Sequence, residues 1–588
     1  MNLNLRSDSP ASIIYCEGKL LHAVMMLHLY LDSKTFVDKP LKKSPKEVAE
    51  AFEKKFPDDI KYGDREAVRA FLDENFEKVG QELSECKLPD WQPRPPKLLA
   101  IRNRHLRKFA LDINRIWSRL CRKMKKEVEE FSDRRSLIYV PNHFVVPGGR
   151  FREFYYWDTY WIIKGLLASG LYETTRAMLG NFKHMIDEFG FVPNGGRIYY
   201  KRRSQPPFFI PMVLEYYKAT KDKEFLASFL PTMQKEFDFW QERRSINITV
   251  KKKEYEFFHY RADSNAPRPE SYREDLYTML IAKPPSSRVL WRDIASAAES
   301  GWDFSSRWFA DHKRLTTIQT TKIVPVDLNA ILCGNMEILA YLYNEVGNKE
   351  MHRHFRQMYD DFVRKFKEVF YDADEGAWYD FNRDTGFLND AAFPSMAVPL
   401  FTMCYDRLDT EMGANVLSTL KRRGLLQFPA GVPTSVKKGT SQQWDYPNGW
   451  APINHMLIEG LRKTGIPELQ QTALNLATRW ISRNYHVFMA ENIMWEKYDV
   501  SKQYIRKARG GEYENQEGFG WTNGVVLDLL VTYAKQLDVE PSSFHNNTFI
   551  FDDYDEYEFD GGHSTAHFTF IPIMIATIIV ALQNTIHF

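Results

Sequence analysis

The sequence predicts an all-α protein built as a helical barrel or bundle, and three observations carry that prediction. Apolar residues recur at spacings of three and four through about a dozen segments. Connections rich in Gly, Pro, Trp and Asp separate those segments, and strand-like runs occur only at 254–260 and 378–380. No Gly/Ser/Pro-rich linker divides the middle of the chain, which argues for one large body rather than several domains. Helices joined in this way pack as a barrel or a bundle. Periodicity does not separate a closed toroid from a solenoid, and no fixed-period repeat is visible to decide it.

Taken in order, residues 1–20 read as an irregular lead-in to a domain spanning 21–537. From 44 to 87, charged and apolar positions alternate at helical spacing (Val48, Phe52, Phe56, then Val68, Leu72, Phe76), which predicts a surface helical hairpin. A Pro-rich break at 88–96 precedes a long amphipathic helix over 98–131 and an extended stretch at 137–141. The spacing then predicts helices over 156–169, 172–189, 208–218, 223–243, 330–346, 349–369, 391–404, 411–422, 452–464, 468–484 and 519–537.

Composition narrows the function classes. The 588 residues are 44% hydrophobic, 27% charged and 14% aromatic, ample for a large core and unlike a disordered chain. A net charge of +2 gives no reason to expect nucleic acid, and runs such as Lys251-Lys252-Lys253 read as solvated faces. The five cysteines (Cys16, Cys86, Cys121, Cys333, Cys404) show no CxxC or Cys/His spacing, so no metal is expected. Their pairing stays open, and the odd count leaves at least one thiol outside an internal disulfide.

Acid and aromatic residues then cluster repeatedly. In Gly301-Trp302-Asp303-Phe304 an acid stands between rings, where desolvation would raise its pKa and keep a proton available. The alternative is an Asp capping a helix that begins at Phe304. The stretch from Pro147 through Gly148, Gly149 and Arg150 to Trp157-Asp158 supplies a tight turn, a guanidinium fork and a stacking face beside an acceptor. Phe151, Tyr155 and Trp161 beside it read as core. Asn194, Arg203 and Gln205 sit in Gly/Pro-rich loops, and Arg268 and Glu270 flank Pro269. Gln443-Trp444-Asp445 opens a second Trp-Asp stretch, Glu496 follows Trp495, and Gly510-Gly511 precede Glu512 where they could hinge a loop over a pocket. Two carboxyl groups plus aromatic and polar groups match the needs of a glycosidase.

Two long stretches make the match specific. Pro147-Gly148-Gly149-Arg150-Phe151-Arg152-Glu153-Phe154-Tyr155-Tyr156-Trp157-Asp158-Thr159-Tyr160 and Gln443-Trp444-Asp445-Tyr446-Pro447-Asn448-Gly449-Trp450-Ala451-Pro452 resemble the two signatures of the trehalases, over a likeness running from about Tyr15 to Leu537. The resemblance implies an (α/α)6 barrel that splits α,α-trehalose into two glucose molecules with inversion and without a cofactor. It implies Asp303 as general acid and Glu496 as general base. It implies sugar-binding roles for Arg150, Trp157, Asp158, Asn194, Arg203, Gln205, Arg268, Glu270, Gly301 and Glu512. The family's longer glycine run before Glu-Tyr is replaced here by Arg506-Lys507-Ala508-Arg509-Gly510-Gly511. Two other readings remain: an (α/α)-barrel α-glucosidase with another substrate, and a catalytically silent trehalose-binding protein. The complete signatures count against the first and the joint presence of Asp303 and Glu496 against the second.

The chain after 537 reads as a polar, acidic stalk (538–566) and a hydrophobic tail (567–588). Its apolar run at 568–582 is shorter than the ~20 residues that span a bilayer. Small residues before a short tail resemble a GPI signal, so attachment to the outer face of the plasma membrane is expected, through that signal or a short anchor. No signal peptide is visible at the amino terminus, which leaves a cytosolic location open. Sequons at Asn247 and Asn546 would accept glycans on a secreted chain.

Overall fold

The computed structural model describes residues 9–539. The expected stalk beyond 539, the hydrophobic tail and the Asn546 sequon lie outside the described residues. Among the described residues, twelve helices alternate between an outer and an inner ring: α1 (Arg104–Leu120, outer), α2 (Asp158–Ala168, inner), α3 (Tyr172–Phe189, outer), α4 (Phe209–Thr220, inner), α5 (Lys223–Arg244, outer), α6 (Val326–Glu345, inner), α7 (Lys349–Phe370, outer), α8 (Val398–Thr402, inner), α9 (Thr410–Arg422, outer), α10 (Ala451–Lys463, inner), α11 (Pro467–Glu491, outer) and α12 (Gly520–Thr532, inner). The inner helices touch in the order α2, α4, α6, α8, α10, α12, and α12 returns to α2. That closed ring is the (α/α)6 barrel the resemblance implied.

Sequence chemistry sorts helices between the rings. Outer helices bury one stripe: α1 buries Leu106, Phe109, Ile113, Trp117 and Leu120, and α7 buries Phe355, Tyr359, Phe362, Phe366 and Phe370. Side chains fix their starts, with Asn103 Oδ1 accepting the His105 and Leu106 N–H groups and Asn348 Oδ1 accepting that of Met351. Inner helices are buried on every side through most of their length. Every residue from Gly520 to Leu530 is buried, as is every residue from Val326 to Met336. The ring closes on two glycines. A Cβ on Gly165 would lie 2.5 Å from Gly524 Cα, and one on Gly524 would lie 1.8 Å from the Trp161 carbonyl oxygen. Backbone stands against backbone there, and α2 and α12 approach more closely than any side chain would allow.

Several expectations change. The helix expected through 98–131 ends at Leu120, because Cys121–Met124 joins an antiparallel sheet with Leu83–Glu85 and Phe144–Val145. A Cys86–Cys121 disulfide pins that junction, so sheet pairing and a covalent bond override the helical periodicity. A second disulfide, Cys333–Cys404, ties α6 to the residue pair following α8, and Cys16 is the cysteine left unpaired. The lead-in is not irregular throughout. Ser12–Tyr15 and Lys19–Met26 are helical and bury Ile14, Tyr15, Leu20, Leu21 and Val24. The hairpin forms as Pro45–Lys55, opened by a Ser44/Glu47 capping box, and Arg65–Asn75. Strand Lys253–Phe258 pairs with an unexpected partner, Ser245–Val250, running straight on from α5. Helices Tyr272–Ala282 and Ser287–Glu299 were not anticipated; their apolar spacing is diluted by Arg, Glu and Asp. Among the described residues no helix is long and apolar enough to cross a membrane.

The alternation has a functional consequence. All six inner helices run the same way, so the segments leading into their amino termini gather at one end of the ring. Every residue singled out from the sequence except Asp158 lies on those segments, and Asp158 opens α2.

Candidate active site

The first carboxyl stands on the segment between helix Ser287–Glu299 and α6. Ser300 Oγ accepts the Trp302 N–H at 3.0 Å, and Gly301 turns the chain with φ +75°. Asp303 does not cap a helix. The following 3-10 turn, Ser306–Trp308, is capped by Ser305 Oγ, which accepts the Arg307 N–H. Asp445 fixes this turn from across the site, accepting from Ser305 Oγ, Ser306 Oγ and Ser306 N–H. Behind the acid lies a stack of indoles: Trp302 lies 5.7 Å from Trp444 at 22°, and Trp444 lies 4.1 Å from Trp450 at 5°. Trp302 is clamped from its far face by the Arg307 guanidinium at 4.7 Å. Burial in this setting pushes the Asp303 carboxyl up to about 7, against the pull of Arg268 and with Glu512 adding to the rise. A proton is therefore held on Asp303 through the acidic and near-neutral range.

The second carboxyl, Glu496, is almost wholly buried on the segment before α12. Tyr513 OH donates to its Oε1 at 2.9 Å and the Gln516 N–H to its Oε2 at 3.4 Å, while Trp521 Nε1–H holds its carbonyl. Burial lifts Glu496 above the ordinary glutamate value, and Lys497, Tyr513, Gln516 and Arg150 restrain the rise. Asp158, at the start of α2, is held well above the usual range by burial, with the charges of Glu496 and Asp303 adding to the shift. Gln443 joins the two acid-bearing segments, donating to the Asp303 carbonyl and accepting from Lys497 Nζ, so the two carboxyls border a common space.

The structure gathers the remaining expected residues around that space. Arg203 donates to Asn194 Oδ1 at 2.7 Å and to Glu270 Oε1 at 2.5 Å. Burial would raise Glu270, but Arg203 and Arg268 outweigh it and hold the carboxyl below its ordinary value. Arg268 donates to Glu512 Oε1 at 2.8 Å and is gripped from behind by Asp275. Gln205 Oε1 accepts the Trp157 N–H, and Trp157 packs edge-on against Trp521 and tilted against Trp444. Arg150 lies over the Tyr513 ring at 4.5 Å. All twelve residues expected from the sequence therefore converge.

Gly301 is demanded by this packing. A Cβ there would lie 2.5 Å from the Trp157 ring on a backbone that L side chains rarely adopt. Gly301→Ala is expected to displace Asp303 or Trp157 and to lower kcat/KM about tenfold or more, read from initial rates.

Other participants were missed. Gln443 donates to the Asp303 carbonyl at 2.7 Å and accepts from Lys497 Nζ at 2.6 Å, tying the two acid-bearing segments together. Lys497 and Tyr513 each follow an acid singled out from the sequence, and that adjacency was the available signal. Asp275 and Ser271, which position Arg268 and Glu512, carried a weaker one in lying close behind Glu270. The basic stretch before Gly510 is itself held: Arg483 of α11 donates to the carbonyls of Lys502, Gln503 and Tyr504, and Asn448 to that of Arg509. Gly510 and Gly511 both have positive φ, and a Cβ would lie 2.8 Å from Ser441 O at the first and 2.6 Å from Gln443 Oε1 at the second.

An (α/α)6 barrel with a proton-holding carboxyl, a second buried carboxyl and a surround of indoles and guanidinium groups defines a glycoside hydrolase. The trehalase family model matches residues 28–534. A trehalase of Homo sapiens is 41% identical over 529 residues, covering 90% of each chain, and one of Apis mellifera is 40% identical over 555 residues, covering 93% of this chain and 88% of that one. Among solved structures, the neutral trehalase of Saccharomyces cerevisiae shares the fold with a TM-score of 0.56 at 21% identity, covering 69% of this chain and 79% of that chain. This chain belongs to the trehalase family.

Proposed function

We propose that the protein hydrolyses α,α-trehalose to two glucose molecules with inversion, Asp303 acting as general acid and Glu496 as general base. The observation that carries the assignment is the difference between the two carboxyl environments. Asp303 is pushed to about 7 against a wall of indoles, whereas Glu496 is restrained by a tyrosine hydroxyl, an amide N–H, Lys497 and Arg150. Environments that separate two carboxyls in this way set up one proton donor and one proton acceptor. Asp303 protonates the glycosidic oxygen as the bond breaks; Glu496 takes a proton from the water that attacks the anomeric carbon from the opposite face. Arg150, Arg203 and Arg268 hold sugar hydroxyls, and the indole surfaces face the apolar sides of the glucose rings.

Inversion at one of two α-linked centres releases one β-glucose and one α-glucose. Proton NMR of the first products tests this: equal initial amounts of both anomers support it, and α-glucose alone overturns it. Glucose release from other α-glucosides at rates matching trehalose would overturn the substrate assignment.

The pH dependence follows with its sign. The active form carries a protonated Asp303 and an ionised Glu496. As pH rises through about 7 Asp303 loses its proton and the rate falls; as pH drops through the Glu496 value, above the ordinary ~4.3, the base is lost and the rate falls again. kcat/KM is expected to be bell-shaped with its alkaline limb near pH 7. A rate flat from pH 6 to pH 9 would contradict the assignment.

An extracellular placement is the reading favoured for location. Two internal disulfides suit an oxidising compartment, and the Asn247 sequon sits exposed on the hairpin strand Ser245–Val250. Attachment through the hydrophobic tail remains part of the proposal. Recovery of the whole chain, tail intact, solely in the soluble cytosolic fraction would sink it.

A further inference from the structure

A residue far outside both signature stretches reaches the site. The segment 28–38 runs from the amino-terminal helices over the end of the ring, and the barrel's connecting loops pin it on both sides of Asp32. Arg273 donates to the carbonyls of Tyr30 and Leu31 at 3.2 Å and 2.8 Å. Ser33 Oγ donates to Glu274 at 2.8 Å, Lys34 pairs with Glu153 at 2.7 Å, and Tyr199 OH donates to Asp38 at 2.7 Å. Between these pins the Leu31 side chain stands fully in solvent, while the Asp32 side chain, 35% exposed, reaches toward Arg150. Its carboxylate meets Arg150 as a two-pronged pair: Nε donates to Oδ2 at 2.7 Å and Nη2 to Oδ1 at 2.6 Å. Oδ1 also accepts the Lys34 N–H at 2.9 Å, so the acceptor is itself held in place by the segment's backbone.

We propose that Asp32 is a positioning residue for hydrolysis, fixing the Arg150 guanidinium so that its Nη1 edge meets a substrate hydroxyl beside Glu496. The proposal rests on the trehalase reading above. A planar guanidinium held by two of its nitrogens loses its freedom to rotate, and the third is left aimed rather than free to search. Tyr513 closes the other side: its ring lies under Arg150 at 4.5 Å and its hydroxyl donates to Glu496. The amino-terminal segment therefore forms part of the catalytic apparatus, connected to it through one carboxylate. The pair also sets the local charge. Arg150 lies in the field of Glu496, and Asp32 offsets that positive charge from behind.

Asp32→Asn separates positioning from mere anchoring. The amide keeps an oxygen for Lys34 N–H and Nη2, but presents an NH2 group to Nε, donor against donor, so the guanidinium must turn. Hydrolysis and calorimetric binding of trehalose are measured side by side for the wild type, Asp32→Asn, Asp32→Glu, Arg150→Ala and the Asp32→Asn/Arg150→Ala double variant. The single Asn variant is expected to lose about 10- to 100-fold in kcat/KM, mostly through KM, with an unchanged melting temperature. Asp32→Glu is expected to retain more activity than Asn because it keeps the charge. In the double variant, adding Asp32→Asn to Arg150→Ala is expected to cost less than about twofold. A structural anchor would instead impose its full penalty in that background too, and this result would overturn the proposal.

The pH profile gives a second readout. The groups facing Glu496 are Lys497 on its own segment, Tyr513 and the Gln516 N–H on the following loop, Asp158 on α2, and Arg150. Asp32→Asn both removes a negative charge behind Arg150 and turns the guanidinium that restrains Glu496, so the acid limb of kcat/KM moves. That displacement is expected in Asp32→Asn, absent in Asp32→Glu and absent in the double variant. An unmoved limb in Asp32→Asn overturns the proposal. If the wild type binds trehalose but releases no glucose, hydrolysis is the reading that fails; binding weakened by Asp32→Asn, and no weaker in the double variant than in Arg150→Ala, would still support positioning.

Discussion

Asp303→Asn is expected to lower turnover of trehalose by roughly two to four orders of magnitude, the span typical of a general acid. The amide is nearly isosteric, and the bonds holding this turn, from Gln443 to the Asp303 carbonyl and from Ser305 and Ser306 to Asp445, do not involve the replaced carboxyl. Folding and sugar binding should therefore survive while chemistry fails. Glu496→Gln is expected to fail on the same scale, since an amide takes no proton from the attacking water. Titration calorimetry beside initial-rate assays checks both. Turnover within tenfold of wild type in either variant would contradict the assignment of roles. The alkaline limb near pH 7 should also vanish from the residual activity of Asp303→Asn, because its titrating group is gone.

The largest effect on stability is expected at Arg307. Its guanidinium is buried between two carboxylates, donating to Asp327 at 2.8 Å and 2.7 Å and to Asp380 at 2.7 Å and 2.8 Å, with Trp302 and Trp308 against its faces. Arg307→Met leaves two buried acids without their cation, a loss that costs about 3–5 kcal/mol when one partner of a buried pair is removed. Chemical denaturation should show the unfolding free energy lowered by that amount. Arg307→Met/Asp327→Asn/Asp380→Asn should recover most of it, because the uncompensated charges go with the cation. Equal stability of the single and triple variants would show that Arg307 acts through its ring contacts alone. Activity should fall with stability, since the same guanidinium braces the indole beside Asp303.

The acids were legible in the sequence because each carries its environment in its immediate neighbours. Trp302 and Phe304 flank Asp303, and Trp495 and Lys497 flank Glu496, so desolvation and restraint could be expected from a few residues. The outer helices were legible for a related reason: a single buried stripe leaves a clean period in α1 and α7. Inner helices such as α12, buried on all sides, lose that contrast, and the periodicity overruns the end of α12 at Thr532 by five residues. What could not be read was pairing at a distance. Cys86 with Cys121, Cys333 with Cys404, and Asp32 with Arg150 are properties of the folded path, and nothing local to any of these residues names its partner. The strand at 245–250 was missed because it continues α5 without a break and only its partner strand reveals it.

The seam between Gly165 and Gly524 bears on how the chain comes to be made. These two glycines lie more than three hundred residues apart, yet their backbones complete the ring. A growing polypeptide emerging at ~5–20 residues per second carries α2 for tens of seconds before α12 exists. Through that interval one flank of α2 lacks its permanent neighbour, and Asp303 has no Glu496 to face. Hydrolytic competence thus arrives late and all at once, near the end of synthesis. Termination upstream of α12 would leave an open crescent with an apolar flank, a form for chaperones and proteases to handle rather than a slower enzyme.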